Sequence, residues 1–308
     1  MSHWNADEVI ADLATLQDFV RYGASRFNAA GLHFGHGTDN AVDEALHLVT
    51  YALSLPVSVP PEFLSARLAA SEKRAILSLF ARRIDERRPA AYLTNKAYFA
   101  GQEFFVDDRV LVPRSPIAEL IENRFEPWSD PYSVAHVLDL CTGSGCIAIG
   151  CALAFPDALV VATDISADAL DVARINVERF QLHDAVTLIQ SDLFDAVPAQ
   201  RFDIIVSNPP YVGDEEIASL PAEYRHEPDL GLRSEQEGLA HAVRILRQAR
   251  SYLSDHGILV VEVGNSQLAL EQRFPTVPFT WLEFARGGDG VFLLRAEELD
   301  EFCREFET

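Results

Sequence analysis

The chain contains a five-residue stretch, Ser207-Asn208-Pro209-Pro210-Tyr211, whose groups suit chemistry at a planar nitrogen. An amide or ring-amine nitrogen is a poor nucleophile because its lone pair is delocalised, so an alkylating site must hold both N–H groups and aim that lone pair. The Asn208 side-chain oxygen and the Pro209 carbonyl are the predicted acceptors. Pro210 stiffens the loop, and Tyr211 is predicted to stack on the flat substrate group. The alternative is an ordinary strand-end turn, because Asn-Pro and Pro-Pro both punctuate loops.

A glycine-rich turn, Cys141-Thr142-Gly143-Ser144-Gly145, lies between the apolar run 135–140 and a helix-like segment. Gly143 and Gly145 would let the backbone approach a ligand closely, and ligands of open α/β sheets bind at this kind of edge. Asp164 ends the next predicted strand, where it is placed to accept hydrogen bonds from ribose hydroxyls. The spacing therefore predicts a ribose-containing cofactor.

Two cofactors fit this turn, because Gly143-x-Gly145-x-x-Ala148 also satisfies the dinucleotide fingerprint with an acid about twenty positions on. Asp139, directly before the turn, would repel a pyrophosphate but suits the cationic amino-acid end of S-adenosylmethionine. Asp192, after the third predicted strand, could accept from the adenine amine, and the Asn-Pro-Pro-Tyr loop follows the fourth strand. Each acid alone could be a loop cap or a solvated charge. Their recurrence at strand ends favours the methyl donor.

Strand-like and helix-like segments alternate around these motifs, which predicts an α/β fold with a mostly parallel sheet and helices on both faces. The predicted strands lie near 136–140, 159–163, 186–190, 202–207 and 257–264, and an antiparallel hairpin over 279–285 and 290–295 closes the sheet. Amphipathic spacing predicts helices over 9–20, 41–55 and 61–88. The predicted domains are a helical, substrate-docking domain over 1–90, a β-hairpin linker over 91–115 and a catalytic domain over 116–308.

Composition favours a soluble globular protein, with 48% hydrophobic and 23% charged residues among 308. No apolar run reaches the roughly 18 residues of a membrane helix, and the first residues lack the pattern of a signal peptide. The cytoplasm is therefore the expected compartment. The cysteines, 141, 146, 151 and 303, lack zinc-ligand spacing and are expected to be reduced and packed as small apolar groups. We predict no metal, and a glycine-rich turn at His33 and His36.

The negative charge is concentrated in the C-terminal two-thirds of the chain. Residues 1–100 hold 10 basic and 11 acidic side chains, whereas residues 101–308 hold 15 and 36, which leaves net charges of −1 and −21. This excess would repel phosphate backbones and attract a basic partner, although it could also serve solubility alone. A nucleic-acid adenine methyltransferase would need a basic groove, and the chain has only two lysines. No sequence-specific nucleic-acid binding is expected.

The chain resembles the class I S-adenosylmethionine-dependent methyltransferases, and within them the protein-glutamine N(5)-methyltransferases of the HemK type, over essentially its whole length. The matching segments are Asp139–Gly145, Asp164, Asp192, Asn208–Tyr211 and Val110–Pro116. Cys141 departs from the pattern, because related enzymes often have the first glycine of the turn there. A requirement for positive φ at that position would put the turn in doubt.

The resemblance implies a Rossmann-like seven-stranded sheet, S-adenosyl-L-methionine as cofactor and S-adenosyl-L-homocysteine as product. The implied cofactor-binding residues are Asp139, Cys141, Thr142, Gly143, Ser144, Gly145, Asp164, Asp192, Leu193 and Asn208. The implied catalytic residues are Asn208, Pro209, Pro210 and Tyr211.

Three further segments resemble the subgroup that methylates a glutamine of the third protein of the large ribosomal subunit: Gly31–Asn40, Tyr92–Phe99 and Glu223–Gly231. This implies a basic ribosomal protein as substrate, and ribosome assembly intermediates as further partners. The sister subgroup, which modifies translation release factors, is one alternative. A nicotinamide-dependent oxidoreductase and a noncatalytic assembly factor are others.

Overall fold

A computed structural model describes residues 5–307, so residues 1–4 and 308 of the predicted terminal domains lie outside the described residues. The chain forms two compact units. Within the described residues, the first comprises residues 5–97 together with 221–226, and the second comprises residues 98–220 and 227–307. The segment 221–226, which the sequence prediction assigns to the catalytic domain, thus packs with the helical unit.

The first unit consists of helices and short 3₁₀ turns. Its helices are α1 (Ala6–Asp12), α2 (Leu16–Ala29), α3 (Ala41–Ala52), α4 (Ala70–Glu86) and α5 (Ala90–Thr94), and its 3₁₀ turns are Pro61–Ser65 and Ala222–His226. The single helix predicted over 9–20 is wrong, because Thr15 and Asp18 form a reciprocal capping box that starts α2. The helix predicted over 61–88 is also divided, and it begins as a 3₁₀ turn.

The core of the first unit is aromatic and aliphatic. Phe19, Phe27 and Phe80 are fully buried, and the rings of Phe27 and Phe80 meet edge to face with centroids 5.1 Å apart. A Cβ at Gly23 of α2 would lie 2.5 Å from the Phe80 ring, so only glycine permits this approach. The predicted helical character of this region is confirmed, with altered helix boundaries.

The segment predicted as a hairpin linker begins with α5 and continues as a small two-stranded sheet. Its strands are β1 (Ala97–Phe99) and β2 (Gln102–Phe104). The strands are shorter than the aromatic and β-branched run over 91–112 indicates, because the start of that run is helical. Asn95, in a left-handed conformation, ends the helix.

The second unit is built on a seven-stranded sheet. Its strands are β3 (His136–Leu140), β4 (Leu159–Asp164), β5 (Val186–Gln190), β6 (Phe202–Ser207), β7 (Leu253–Glu262), β8 (Thr280–Trp281) and β9 (Val291–Arg295). The strand order is β5-β4-β3-β6-β7-β9-β8, parallel from β5 to β7, with β9 antiparallel to both β7 and β8. The predicted mostly parallel, Rossmann-like sheet and its closing hairpin are confirmed. β7 starts earlier than predicted, and β8 is shorter.

Helices cover both faces of this sheet. They are α6 (Ile117–Glu122), α7 (Cys146–Ala154), α8 (Ala167–Arg179), α9 (Asp214–Ile217), α10 (Asp229–Leu232), α11 (Ala240–Ala249), α12 (Gln267–Arg273) and α13 (Ala296–Glu301), with 3₁₀ turns at Gly264–Ser266 and Glu305–Glu307. Val137 and Leu138 of β3 belong to different apolar clusters, because successive strand residues point to opposite faces. Burial on both faces explains the near-continuous apolar runs. Within the described range, none of the helices has the length and apolarity needed to cross a bilayer.

Candidate active site

The candidate site lies at the carboxyl edge of the parallel strands. Leu140 at the end of β3 is in register with Thr163 of β4 and Ser207 of β6. β4 and β5 extend from one side of β3, and β6 and β7 from the other, so a topological switch point lies between β3 and β6. The Ser207 hydroxyl donates to the Leu140 carbonyl at 2.8 Å. The glycine-rich turn and the Asn-Pro-Pro-Tyr loop therefore leave the sheet side by side.

The glycine-rich turn uses left-handed backbone at Cys141 (φ 59°), Gly143 (φ 54°) and Gly145 (φ 80°). Glycine adopts this conformation freely, whereas a left-handed cysteine costs about 1–3 kcal/mol. The turn thus forms in spite of the departure at Cys141. A Cβ on Gly143 would have no heavy atom within 4 Å, while one on Gly145 would lie 3.2 Å from the Ala173 side chain. Gly143 borders open space, and Gly145 lets α8 approach.

Asp139 is fully buried at the end of β3 and has one unsatisfied oxygen. Its Oδ2 accepts from the Thr142 hydroxyl at 2.6 Å and from the Ala148 N–H at 3.1 Å. Its Oδ1 has no hydrogen-bond partner among residues 5–307. Burial raises the pKa of this carboxyl to about 7, although both hydrogen bonds act to lower it. Because a buried acceptor without a donor is costly, a cationic N–H group would be stabilised here.

Asp164 organises the turn from the end of β4. Its Oδ2 accepts from the Gly143 N–H and its Oδ1 from the Ser166 N–H, each at 2.9 Å. Burial raises the pKa of this carboxyl, against the effect of those bonds. Each oxygen retains a second lone pair for a ligand hydroxyl. The side chains of Thr142 and Ser144 are buried, so these residues offer mainly their backbone to a ligand.

The loop after β5 contributes one polar and one apolar residue. The Asp192 side chain is 40% exposed and accepts from Nη1 of Arg244 on α11 at 2.9 Å. Leu193 is buried and has a φ of 51°. Arg244 was not predicted as a site residue, because it lies 52 positions from Asp192 and follows no motif spacing.

The Asn-Pro-Pro-Tyr loop is held rigidly by neighbours from distant parts of the chain. Pro209 and Pro210 are buried, and Asn208 is half-buried. The Tyr211 hydroxyl donates to Oε1 of Glu262 at 2.9 Å, and the Ser115 hydroxyl donates to Oε2 of the same carboxylate at 2.5 Å. Burial raises the pKa of the Glu262 carboxyl, whereas both hydrogen bonds lower it.

The backbone at Gly264 completes this support. A Cβ at Gly264 would lie 2.6 Å from the Tyr211 ring, and the residue has a φ of 47°. The glycine therefore permits close packing against the ring and fixes its plane. None of the three supporting residues, Ser115, Glu262 and Gly264, was predicted from the sequence as part of the site. The acid at the end of β7 is a signal of the same kind as Asp139 and Asp164, and it could have identified Glu262.

Comparisons with known proteins identify the family. A family model described as "Methyltransferase small domain" matches residues 126–222. "Ribosomal protein uL3 glutamine methyltransferase" of Francisella tularensis subsp. tularensis is 46% identical over 307 residues, covering 99% of this chain and 98% of its own. The protein of the same name from Bordetella pertussis is 49% identical over 290 residues, covering 94% and 97%. The chain belongs to the family of ribosomal protein uL3 glutamine methyltransferases.

Among solved structures, this uL3 glutamine methyltransferase family member is similar to a ribosomal protein L11 methylase from Lactobacillus delbrueckii subsp. bulgaricus. It is 22% identical, with a TM-score of 0.40, and the match covers 58% of this chain and 76% of that chain.

In this uL3 glutamine methyltransferase family member, two of the segments that resemble the subgroup meet within the first unit. The Tyr224 ring packs on His36 with centroids 4.5 Å apart and on His33 at 5.6 Å. His36 is buried. In the part of the chain that the structure describes, no group of three or more His, Cys, Asp or Glu side chains could hold a metal. Gly35 and Gly37 have positive φ, as a glycine-rich turn requires.

Beside this aromatic cluster, a buried ion-pair network surrounds Arg83. Its Nε donates to Glu44 at 2.7 Å, its Nη1 to Glu223 at 3.3 Å, and its Nη2 to the His33 carbonyl at 2.8 Å. Glu223 also accepts from the His33 N–H at 3.1 Å and from Arg87 at 3.3 Å. The segment 221–226 is thereby fixed to the helices of the first unit.

The next carboxylate, Glu227, is anchored within the second unit. Arg114 binds it with both terminal nitrogens, at 2.6 and 2.8 Å, and the Val112 N–H donates to it at 3.1 Å. This bidentate pair gives the Val110–Pro116 segment, which carries part of the family resemblance, a defined structural role.

The cysteines are free thiols in mixed environments. Cys146 and Cys151 are buried in the core, where burial raises the pKa of both thiols, and Cys141 is half-buried. The expectation of packed apolar thiols is confirmed for Cys146 and Cys151. It is wrong for Cys303, which is exposed near the C-terminus because the helix before it has ended.

Proposed function

We propose that this protein transfers the methyl group of S-adenosyl-L-methionine to the N5 nitrogen of a glutamine side chain of ribosomal protein uL3. The observation that carries this proposal is the 2.8 Å hydrogen bond from Ser207 to Leu140, which joins the start of the Asn-Pro-Pro-Tyr loop to the glycine-rich turn. Methyl donor and planar nitrogen must be held side by side for transfer. The names of the two nearly full-length relatives support uL3 as the substrate.

The strand-end residues fit S-adenosyl-L-methionine. The unsatisfied Oδ1 of Asp139 suits the cationic amino group, and the open space beside Gly143 leaves room for the ligand. We assign the ribose hydroxyls to Asp164 and the adenine to Asp192 and Leu193. The remaining proposed cofactor-binding residues of the turn and the loop are Cys141, Thr142, Ser144, Gly145 and Asn208. When bound, the cofactor supplies an activated methyl group on sulfur and leaves as S-adenosyl-L-homocysteine.

The Asn-Pro-Pro-Tyr loop positions the glutamine amide in this proposal. The Asn208 side-chain oxygen and the Pro209 carbonyl accept from its two N–H groups, and the Tyr211 ring packs on the amide plane. The nitrogen lone pair forms the new N–C bond as the C–S bond breaks, and the sulfur keeps the bonding electrons. The methylated nitrogen then loses a proton to water. Acceleration comes mainly from positioning and from acceptors near the developing positive charge.

The helical domain over 1–90 is proposed to dock the protein substrate, because it holds no cofactor motif. Glu223 and Tyr224 fix part of the chain that follows the catalytic loop to the helices of the first unit, which supports this role. The −21 net charge of residues 101–308 suits a basic ribosomal protein, and assembly intermediates that contain uL3 are further proposed partners.

The direct test uses labelled S-adenosyl-L-methionine and purified, unmethylated uL3, followed by mass mapping of the labelled residue. We expect one labelled glutamine, with Asn208→Ala abolishing transfer while leaving most of the cofactor affinity. Asp164→Ala should instead weaken cofactor binding by about 1.5–3 kcal/mol per lost charge-assisted hydrogen bond. Parallel reactions offer a release factor and an adenine-containing nucleic acid, and label on either of these with none on uL3 would reject the proposal. Near-normal turnover by Asn208→Ala would reject the mechanism.

A further inference from the structure

A cavity of about 530 Å³ in the second unit carries an unusual concentration of positive charge. Four arginines line it, namely Arg233, Arg244, Arg247 and Arg273, together with Glu235 and His241. The whole chain, these arginines included, has a net charge of −22 and only 25 basic residues among 308. This cluster is therefore a local exception to the acidic character of the C-terminal two-thirds.

Two of these guanidinium groups are held by neutral acceptors. Arg247 donates to the Phe306 carbonyl, and Arg273 donates to the Gln236 side-chain oxygen at 3.0 Å. Among the side chains that the structure describes, neither forms a salt bridge with a carboxylate, whereas Arg244 pairs with Asp192 at 2.9 Å. An arginine has five N–H donors in a fork that matches phosphate oxygens. Arg247 and Arg273 are thus oriented while most of their donors remain available to an anion.

The wall of this cavity is connected to the catalytic loop. The Val212 N–H donates to the Leu232 carbonyl and the Ser234 N–H donates to the Val212 carbonyl, each at 2.9 Å, so the backbone around Arg233 pairs with the residue after Tyr211. The Ser234 hydroxyl lies 3.1 Å from Nδ1 of His241, whose ring also interacts with the Pro210 carbonyl. An anion bound here would therefore lie directly beside the catalytic loop.

We propose that this cavity binds backbone phosphates of single-stranded RNA, so that the enzyme engages its ribosomal protein substrate together with RNA. The identification of the protein that is engaged together with RNA as uL3 rests on the proposed function. The cavity volume of about 530 Å³ suits a ligand about the size of a nucleotide. Phosphate contacts by arginine carry no sequence information, so sequence-independent binding is expected.

The test measures binding of a labelled oligouridylate by fluorescence anisotropy at several salt concentrations, without cofactor or protein substrate. Each phosphate contact with single-stranded RNA contributes about 0.7 to the slope of log affinity against log salt. Arg247→Gln/Arg273→Gln should therefore reduce that slope by about 1.4 and weaken binding at low salt. Arg174→Gln is the matched control, because Arg174 is exposed on α8 and outside the cavity. The single variant Arg273→Gln keeps the hydrogen bond from Arg247 to the Phe306 carbonyl, so it provides the same test if the double variant does not fold.

Methylation of isolated uL3 separates this proposal from the proposed function. We expect the double variant to methylate isolated uL3 with unchanged kcat/KM, while its RNA binding is weakened. Wild-type protein that does not bind the oligouridylate, or variants that bind it equally well, would overturn the RNA site and leave the methyltransferase assignment intact. Saturable binding of inorganic phosphate without oligonucleotide binding would also overturn it, in favour of a small-anion site.

Discussion

Replacing Asp139 by asparagine should remove one contribution to the pH dependence of the protein's stability. Asparagine preserves the shape of the side chain and an oxygen for the Thr142 and Ala148 donors, but it cannot ionise. Burial raises the pKa of Asp139 from 3.8 to about 7. A carboxyl that is more easily protonated in the folded state lowers the free energy of unfolding as pH rises between these two values.

The expected magnitude follows from that shift of about three units. At about 1.4 kcal/mol per unit, ionisation of Asp139 costs the ligand-free protein about 4 kcal/mol once the pH exceeds the folded pKa. The free energy of unfolding of Asp139→Asn should therefore rise relative to wild type by about 1.4 kcal/mol per pH unit from pH 5.5 to 7, and then level off. A buried amide group without an acceptor adds a constant offset of about 1–3 kcal/mol in the opposite direction.

Urea unfolding at several pH values measures this difference, and calorimetry with S-adenosyl-L-methionine provides the second arm. Wild-type affinity should increase with pH up to about 7, because the cationic ligand favours the ionised carboxylate, and binding should release a proton. The cofactor affinity of Asp139→Asn should be lower than that of the wild type, and it should lack the increase with pH that ionisation of Asp139 produces. The role of Asp139 would be refuted if the difference in free energy of unfolding between wild type and variant stayed constant across the pH range and the variant had unchanged cofactor affinity.

Two further substitutions test the support around the site and the network in the first unit. Tyr211→Phe keeps the ring but removes the hydrogen bond to Glu262, so kcat should fall about tenfold with cofactor affinity preserved. Tyr252→Phe is the control for the loss of a tyrosine hydroxyl. Equal rates in the two variants would contradict the positioning role of Tyr211. Arg83→Met leaves Glu44 and Glu223 buried without their main cation, so urea unfolding should show a loss of about 3–5 kcal/mol. Arg82→Met, which removes only an exposed pair with Glu86, should cost less than about 1 kcal/mol, and similar losses in both variants would argue against the network.

The sheet was predictable because its strands are short apolar runs bounded by turn residues. The placement of Asp139 and Asp164 at the carboxyl ends of strands was predictable for the same reason, since an acid at the end of a buried strand stands out against its neighbours. The positions at which helices begin and end were harder to predict from the sequence. The break between α1 and α2 depends on hydrogen bonds between Thr15 and Asp18, which interrupt a continuous apolar periodicity.

Contacts between distant parts of the chain could not be predicted from local patterns. Ser115 and Glu262 share a hydrogen bond across 147 positions, and Arg83 reaches Glu223 across 140. Neither pair follows a motif or a period. The cavity arginines are likewise brought together by the packing of α11 and its neighbours, and their sequence spacing is irregular. Local sequence thus specified the elements and strand-end residues, whereas tertiary packing determined which residues support them.

The segment 221–226 has a consequence for synthesis of the protein. The first unit needs these residues, yet 123 residues of the second unit, 98–220, are translated between its two parts. At about 5–20 residues per second, this delay amounts to roughly 6 to 25 s. During that time the helices have emerged without Glu223, the acceptor for Arg83, Arg87 and the His33 N–H. The helical unit therefore reaches its final structure only after strands β3 to β6 have been made, although it is encoded first.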